Sequence, residues 1–136
     1  MAKYAAFGVH LLRGAVEVAN VKSISGPGLS LDVEDVTSHD STEAWEEVVA
    51  TILRTGEISV DIVYDPNNAT HKNAVGGLLY DLTIRTSTAY SIVFATTPAV
   101  TWSFTAFVVG FEPDAPVEGG LTASVSLKIT GKPTIA

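Results

Sequence analysis

Apolar and polar residues alternate along much of this 136-residue chain, and this alternation restricts the fold more than any other feature. Successive side chains of a β-strand point to opposite faces, so a period of two is typical of strands with one buried face. The alternation is most regular over residues 57–64, where every second residue is Ile, Val, Ile and then Tyr. We predict strands at residues 16–24, 29–33, 57–64, 89–96, 101–112 and 121–130.

One segment has a different period. Val75, Leu78, Leu79 and Leu82 are spaced as i, i+3, i+4 and i+7, which is the spacing of an apolar stripe on an α-helix. We therefore predict a helix at residues 69–82, held by packing against a sheet because two internal glycines weaken it. Together the two patterns predict a mainly β (α+β) domain with one flanking α-helix.

Composition limits both the fold and the function. Charged residues make up 17% of the chain, below the roughly 25% of ordinary soluble domains, which indicates that partners cover part of the surface. A net charge of −7 argues against nucleic-acid binding, because such proteins neutralise phosphates with Lys and Arg. The length favours a single domain, residues 1–136, and the absence of cysteine excludes disulfides. Neither a signal peptide nor a membrane span is predicted.

Two segments carry chemically suggestive side chains. Residues 38–41, Ser-His-Asp-Ser, contain the residue types of a hydrolytic triad, but consecutive residues do not point their side chains into that relay. A group near residue 68 suggests a cation site without the spacing of a calcium loop; its members are Asp65, Asn67, Asn68 and His71. We predict no catalytic, cofactor or metal site, and we interpret Trp102 and Phe104 as core residues.

Three motifs follow one another in the first half of the chain. They are Asp-Val-Thr-Ser-His-Asp-Ser at residues 35–41, Trp-Glu-Glu-Val at 45–48, and Gly-Glu-Ile-Ser-Val-Asp-Ile-Val-Tyr-Asp-Pro at 56–66. In this order, and followed by a helix, they resemble the tail tube proteins of long-tailed, siphovirus-type bacteriophages. The resemblance extends from about residue 29 to the end. It departs at residues 50–55, where the family usually has a Gly- or Pro-containing turn and an acidic residue.

This resemblance implies a structural virion protein and no cofactor. The family folds as a two-sheet, barrel-like β-sandwich with a flanking helix, and six subunits close a ring that stacks into the tube for DNA ejection. The implied partners are other copies of the chain and the tape-measure, tail terminator and tail initiator proteins. Genomic DNA passes through transiently without specific binding, and no membrane is involved. The implied location is the virion tail, after synthesis and assembly in the cytoplasm of the host bacterium.

Two segments are candidates for contacts between subunits or rings. They are an apolar N-terminal arm at about residues 1–13 and a long polar loop at about residues 34–45, both expected to become ordered on assembly. The residues proposed for these contacts are Phe7, Leu11, Leu12, Asp35, Val36, Thr37, Ser38, His39, Asp40, Ser41 and Trp45.

Two predicted strands have polar faces that suit the wall of a DNA channel. Short hydroxyls and carboxylates hold water without offering the cations or aromatic rings that bind nucleic acid. The candidates for lining the lumen are Glu57, Ser59, Asp61, Thr122, Ser124 and Ser126. The same alternation also fits the solvent-facing side of any antiparallel sheet, so the pattern leaves both interpretations open.

Two alternatives to a non-contractile tail tube remain open at this level. One is the tube of a contractile tail or a related injection device, which shares the fold. The other belongs to a different class, a monomeric immunoglobulin-like or carbohydrate-binding β-sandwich that would expose an aromatic patch. Assembly into rings or tubes separates the two classes.

Overall fold

The computed structural model describes residues 3–5 and 7–135. Within these residues, strands account for most of the regular structure, with one α-helix and one short 3-10 turn. The strands are β1 (His10–Arg13), β2 (Val16–Glu17), β3 (Val21–Ser25), β4 (Leu29–Asp35), β5 (Val48–Thr55), β6 (Glu57–Val63), β7 (Thr88–Phe94), β8 (Val100–Asp114) and β9 (Thr122–Ile135). The helix is α1 (Leu78–Ile84), and the 3-10 turn covers Thr42–Ala44.

Seven strands form one antiparallel sheet in the order β2-β1-β7-β8-β9-β6-β3. The sheet curls, because β1 near one edge also lies against β3 at the other. Helix α1 packs against β8. The remaining strands, β4 and β5, pair only with each other and form a separate two-stranded sheet. The predicted mainly β, barrel-like fold with one flanking helix is confirmed, although the second sheet is a hairpin and not half of a sandwich.

The core lies on the concave side of the curled sheet. Alternate residues of β6 and β9 are buried there as the sequence pattern predicts, and they face the apolar residues of β7, β8 and α1. The buried apolar residues are Leu11, Val18, Ile58, Val60, Ile62, Leu78, Tyr90, Ile92, Phe104, Ala106, Val108, Ala123, Val125, Leu127 and Ile129. Phe104 is in this core as predicted, and Trp102 is half-buried with an edge-to-face contact to Phe94 at 5.5 Å.

The helix begins nine residues later than predicted. Residues 65–77 form a series of turns, in which the Asp65 and Asn68 side chains accept hydrogen bonds from backbone N–H groups two residues ahead. Such local bonds compete with helix formation. Gly76 has φ of 96°, a backbone conformation that is incompatible with an α-helix. Val75, which was predicted to lie on the apolar stripe of the helix, is 81% exposed. No helix in residues 3–5 and 7–135 has the length and apolar character needed to cross a membrane.

Two strand predictions also need correction. The strand predicted at residues 16–24 is divided into β2 and β3, because Asn20 takes a left-handed conformation with φ of 59° between them. Strand β5 covers residues 48–55, which the sequence analysis did not assign to a strand. Its apolar residues occur in adjacent pairs, so it lacks the alternation that marks the other strands.

Candidate assembly surfaces

A bent ribbon connects the body of the protein to the two-stranded sheet. Strands β3 and β6 pair within the body, and their continuations β4 and β5 pair beyond it. The bend lies at Gly26–Gly28 on one side and Gly56 on the other, where the Gly56 N–H donates to the Gly28 carbonyl at 2.6 Å. A side chain at Gly26 would lie 2.7 Å from the Glu57 carbonyl oxygen, so this position requires glycine. We call residues 29–55 the hairpin.

One face of the hairpin is apolar and uncovered. Leu31 lies opposite Leu53, and Val33 lies opposite Ala50, so these side chains share a face. Leu53 is 80% exposed. The opposite face is more polar and includes Val49 as well as Ser30 and Glu34. It carries an ion pair between Arg54 and Asp32, with 2.6 Å between Nε and Oδ2. The exposed apolar residues of the hairpin are Leu29, Leu31, Val33, Val36, Trp45, Val48, Val49, Ile52 and Leu53.

Residues 36–47, which we call the tip loop, connect β4 to β5 and are held by their own hydrogen bonds. The Val36 N–H donates to the Glu47 carbonyl, and the Glu47 N–H donates to Thr37 Oγ1 at 2.8 Å. Ser41 is buried, accepts from the Ser38 N–H and donates to the Glu47 carboxylate at 3.0 Å. Hydrogen bonds from the Thr37 side chain and backbone lower the pKa of Asp35.

The hydrolase interpretation finds no support in this loop. Ser38 Oγ accepts a hydrogen bond from the Asp40 backbone N–H at 3.3 Å, while the His39 side chain is exposed. The three side chains therefore do not form a relay. Trp45 follows the 3-10 turn and is 72% exposed.

The structure divides the residues proposed for subunit contacts. Those from Asp35 to Trp45 lie at the outer end of β4 or in the tip loop, and Phe7 is exposed. Leu11 was predicted to make such a contact, but it is 1% exposed and belongs to the core, because β1 pairs with β7. Leu12, on the other face of β1, is half-buried. The predicted arm is thus part of the sheet from His10 onwards.

All six candidates for the channel wall share one face of the curled sheet. Strands β6 and β9 are neighbours, and Ser59 lies opposite Ser126 while Asp61 lies opposite Ser124. Asp61 accepts hydrogen bonds from Ser124 Oγ at 3.2 Å and from Ser23 Oγ of β3 at 3.0 Å. We call this the serine face, defined by Ser23, Ser25, Glu57, Ser59, Asp61, Thr122, Ser124, Ser126 and Lys128.

Strand β8 extends the serine face with two carboxylates, because Glu112 lies opposite Ser124 and Asp114 lies opposite Thr122, but the face also carries a cation. Lys128 lies opposite Glu57, and its ammonium donates to the Thr55 carbonyl at 3.2 Å. Phe107, which is partly exposed on β8, lies opposite Lys128 on the other side. Ser23 and Ser25 were not predicted as members, because the pairing of β3 with β6 cannot be inferred from the sequence of either strand.

A buried ionic network, which the sequence analysis did not predict, joins α1 to the sheet. Arg13 of β1 donates to both carboxylate oxygens of Asp81, at 2.7 and 2.8 Å, and Tyr90 of β7 donates to Asp81 Oδ2 at 2.6 Å. Asp81 is 1% exposed. Burial raises the pKa of its carboxyl, but the hydrogen bonds from Arg13 and Tyr90 outweigh that effect and the pKa lies below its ordinary value. Burial and the bond to Asp81 raise the pKa of Tyr90.

The side chains near residue 68 have structural roles and do not converge on a cation. His71 is fully buried, with Nε2 2.6 Å from the Ala19 carbonyl oxygen and Nδ1 accepting from the Asp65 N–H. Asn68 Oδ1 accepts from the Thr70 hydroxyl and N–H. These bonds fasten residues 65–71 to the connection between β2 and β3. Among the residues described, no group of three or more His, Cys, Asp or Glu side chains is arranged to hold a metal ion.

This mainly β fold, a curled antiparallel sheet with one flanking helix, is also the fold of solved tail tube subunits. The family model described as lambda phage tail tube protein matches residues 9–136. The chain belongs to this family, and it is a structural tail tube protein. No curated protein matches it in sequence.

Solved structures share this fold at low sequence identity. A chain in the virion of a native gene transfer agent particle has a TM-score of 0.78 at 10% identity, with 98% of this chain and 99% of that chain covered. A chain in the sheath/tube terminator structure of an extracellular contractile injection system has a TM-score of 0.76 at 11% identity, with 100% and 98% covered. The SPP1 tail tube has a TM-score of 0.63 at 11% identity, with 94% and 77% covered.

Membership in a structural tail tube family indicates a non-enzymatic role. Family membership also argues against the alternative interpretation as a monomeric immunoglobulin-like or carbohydrate-binding module. The fold does not separate non-contractile from contractile tails, because the neighbours include both a contractile injection system and the SPP1 tail tube.

Proposed function

We propose that copies of this chain close into rings and that the rings stack into a tube through which DNA is ejected. The observation that carries this proposal is the hairpin, whose apolar face is left uncovered by its own chain. An isolated two-stranded hairpin is marginally stable in water, and a continuous exposed apolar patch is typical of an interaction surface. A neighbouring copy that packs on this face would stabilise the hairpin and would bury its apolar side chains.

Further features of this proposal follow from the resemblance to siphovirus tail tubes. The ring contains six subunits, and the tube meets a tape-measure protein, a tail terminator and a tail initiator. The protein is synthesised and assembled in the host bacterial cytoplasm and ends in the virion tail. A contractile tail is the second candidate, because a chain of an extracellular contractile injection system shares the fold.

The serine face is our proposed wall of the channel. Its hydroxyls bind water, and Glu57 and Asp61 add negative charge that repels phosphate. Asp61 is held between serines of two neighbouring strands, which fixes its carboxylate on the surface. Lys128 is oriented towards the Thr55 carbonyl. This arrangement suits a surface along which DNA slides without binding.

The hairpin is tested by changing one of its faces at a time. We expect Leu53→Asp to raise the concentration needed for assembly by about ten- to a hundred-fold, which corresponds to losing the burial of one leucine. Ser30→Asp is the matched control, because it adds the same carboxylate to the polar face. Sedimentation velocity and electron microscopy measure the outcome. Equal assembly of the two variants would contradict a role for the apolar face.

The channel wall is tested by reversing its charge. We expect Glu57→Lys combined with Asp61→Lys to leave tube assembly largely intact but to slow or block DNA release, because added cations bind phosphate. Glu118→Lys, which reverses an exposed carboxylate in the β8–β9 connection outside the serine face, serves as the control. Particle yield, measured by microscopy, and DNA release, measured by infectivity, separate the two effects. Unchanged infectivity would place the serine face away from the channel.

A further inference from the structure

The net negative charge of the protein is concentrated in the hairpin. Residues 29–55 contain seven of the fifteen Asp and Glu residues and one of the eight Lys and Arg residues, giving a net charge of −6 out of the total of −7. The remaining residues are therefore close to neutral. The acidic residues of the hairpin are Asp32, Glu34, Asp35, Asp40, Glu43, Glu46 and Glu47. Charge repulsion disfavours contact between two hairpins and favours contact of a hairpin with the near-neutral body of another copy.

Trp45 is the largest exposed side chain of this acidic segment. It follows Glu43 and Ala44, whose φ angles of 53° and 61° lie in the left-handed region that non-glycine residues rarely adopt. Consecutive strained residues persist where the surrounding structure enforces them, and here the bonds of Ser41 and Glu47 close the loop around them. The strained turn therefore presents Trp45 outward, with Glu43 and Glu46 beside it in the sequence.

The body contains a cleft that complements this side chain. It has a volume of about 720 Å³ and lies where the two edges of the curled sheet approach without pairing. Its walls include the apolar residues Val9, Val21, Ile24, Ile92 and Phe94. Lys22, an exposed residue of β3, also lines it, while the one carboxylate in the lining, Glu17, is paired with His10 at 2.6 Å.

We propose that Trp45 of one copy inserts into this cleft of another copy, where Lys22 pairs with the carboxylates of Glu43 or Glu46. This inference rests on the proposed function and adds the site at which the hairpin is received. Trp45 cannot reach the cleft of its own chain. Gly26, at the base of the hairpin, lines the cleft, whereas the eight residues of β5 separate that base from the tip loop by roughly 26 Å.

The contact joins two different surfaces, the tip loop of one copy and the cleft of the next. Such head-to-tail contacts close into a ring if the rotation between copies closes, and otherwise they propagate into an open assembly. A tube of stacked rings uses both kinds of contact, so the tip loop can serve within a ring or between rings.

Fluorescence tests the insertion directly. The chain has two tryptophans, and Trp102→Phe leaves Trp45 as the only one. We expect the emission of this variant to shift to shorter wavelength as tubes form, because the ring leaves water for an apolar cleft. Tubes that form while Trp45 keeps its monomer emission would overturn the insertion and leave the tube function standing. If the wild-type chain does not assemble at any concentration, both proposals fail.

Charge exchange tests the residue that receives the loop. We expect Trp45→Ala to raise the assembly concentration by about thirty-fold or more, the effect of losing a buried anchor residue. Lys22→Glu and Glu46→Lys each weaken assembly, and the two combined restore it to within about three-fold of wild type. Lys72→Glu, which changes a lysine outside the cleft, is the control for Lys22→Glu. If the assembly concentration of the combined variant is raised by the product of the two single effects, Lys22 is not the partner of the loop.

Discussion

Replacing residues 29–55 by Asn-Gly should give a folded, soluble protein that forms no tubes. The excised segment contains most of the exposed apolar side chains on which assembly depends in our proposal. The body should survive, because Ile58, Val60 and Ile62 of β6 and their partners on β9 remain in place. Asn-Gly favours a tight two-residue turn between Gly28 and Gly56, whose backbones are already hydrogen-bonded.

The readouts are circular dichroism and thermal unfolding for the fold, and sedimentation velocity with electron microscopy for assembly. Deleting only residues 35–41 is the narrower version and should give the same loss of polymerisation. A variant without the hairpin that still builds tubes of normal diameter would show that other surfaces hold the subunits together.

Asp81→Ala should destabilise the monomer by about 3–5 kcal/mol, the usual cost of removing one partner from a buried ion pair. The substitution leaves the Arg13 guanidinium without its carboxylate and the Tyr90 hydroxyl without its acceptor. It also disconnects α1 from two strands. Since small domains are stable by only about 5–15 kcal/mol, we expect a large fall in the urea midpoint.

The same network predicts how stability depends on pH. The pKa of Asp81 in the folded protein lies below its ordinary value, so the unfolded chain binds the proton first as the pH falls. The contribution of Asp81 is therefore fully present above about pH 4, near the unfolded value, and is lost as the pH falls through the lower folded-state pKa. Wild type should lose more stability than Asp81→Asn over this acidic range.

Two controls keep this prediction specific. Asp114→Asn removes an exposed carboxylate and should change neither the urea midpoint nor the acid response by a comparable amount. Tyr90→Phe removes one hydrogen bond of the network and should cost about 1–3 kcal/mol. Parallel loss of stability with falling pH in wild type and Asp81→Asn would show that other carboxylates dominate the acid transition.

The body of the fold was predictable because its strands have one solvent-exposed face and one buried face. Strands β6 and β9 bury every second residue, and the sequence shows the same period. Strand β5 was not predictable in this way, because neither of its faces is buried by the chain itself and no alternation results. Its content of β-branched residues was the available signal.

Contacts between residues that are far apart in the sequence could not be predicted either. Arg13 and Asp81 are separated by 68 positions, and nothing near either residue indicates the other. The six wall candidates were inferred separately from two strands, and only the pairing of β6 with β9 places them on one surface. The late start of α1 depends on turn-forming side chains at Asp65 and Asn68, which the spacing of leucines does not reveal.

The bend between the body and the hairpin bears on the mechanics of a whole tail. Glycine tolerates a wide range of backbone torsions, and here it occurs on both sides of the ribbon, at Gly26, Gly28 and Gly56. When a filament is deflected sideways, its outer wall lengthens and its inner wall shortens. We expect the hairpin of each subunit to rotate slightly relative to the body at these glycines and so to take up part of that difference. Bending would then be shared among all subunits, and the cross-section of the channel would remain circular.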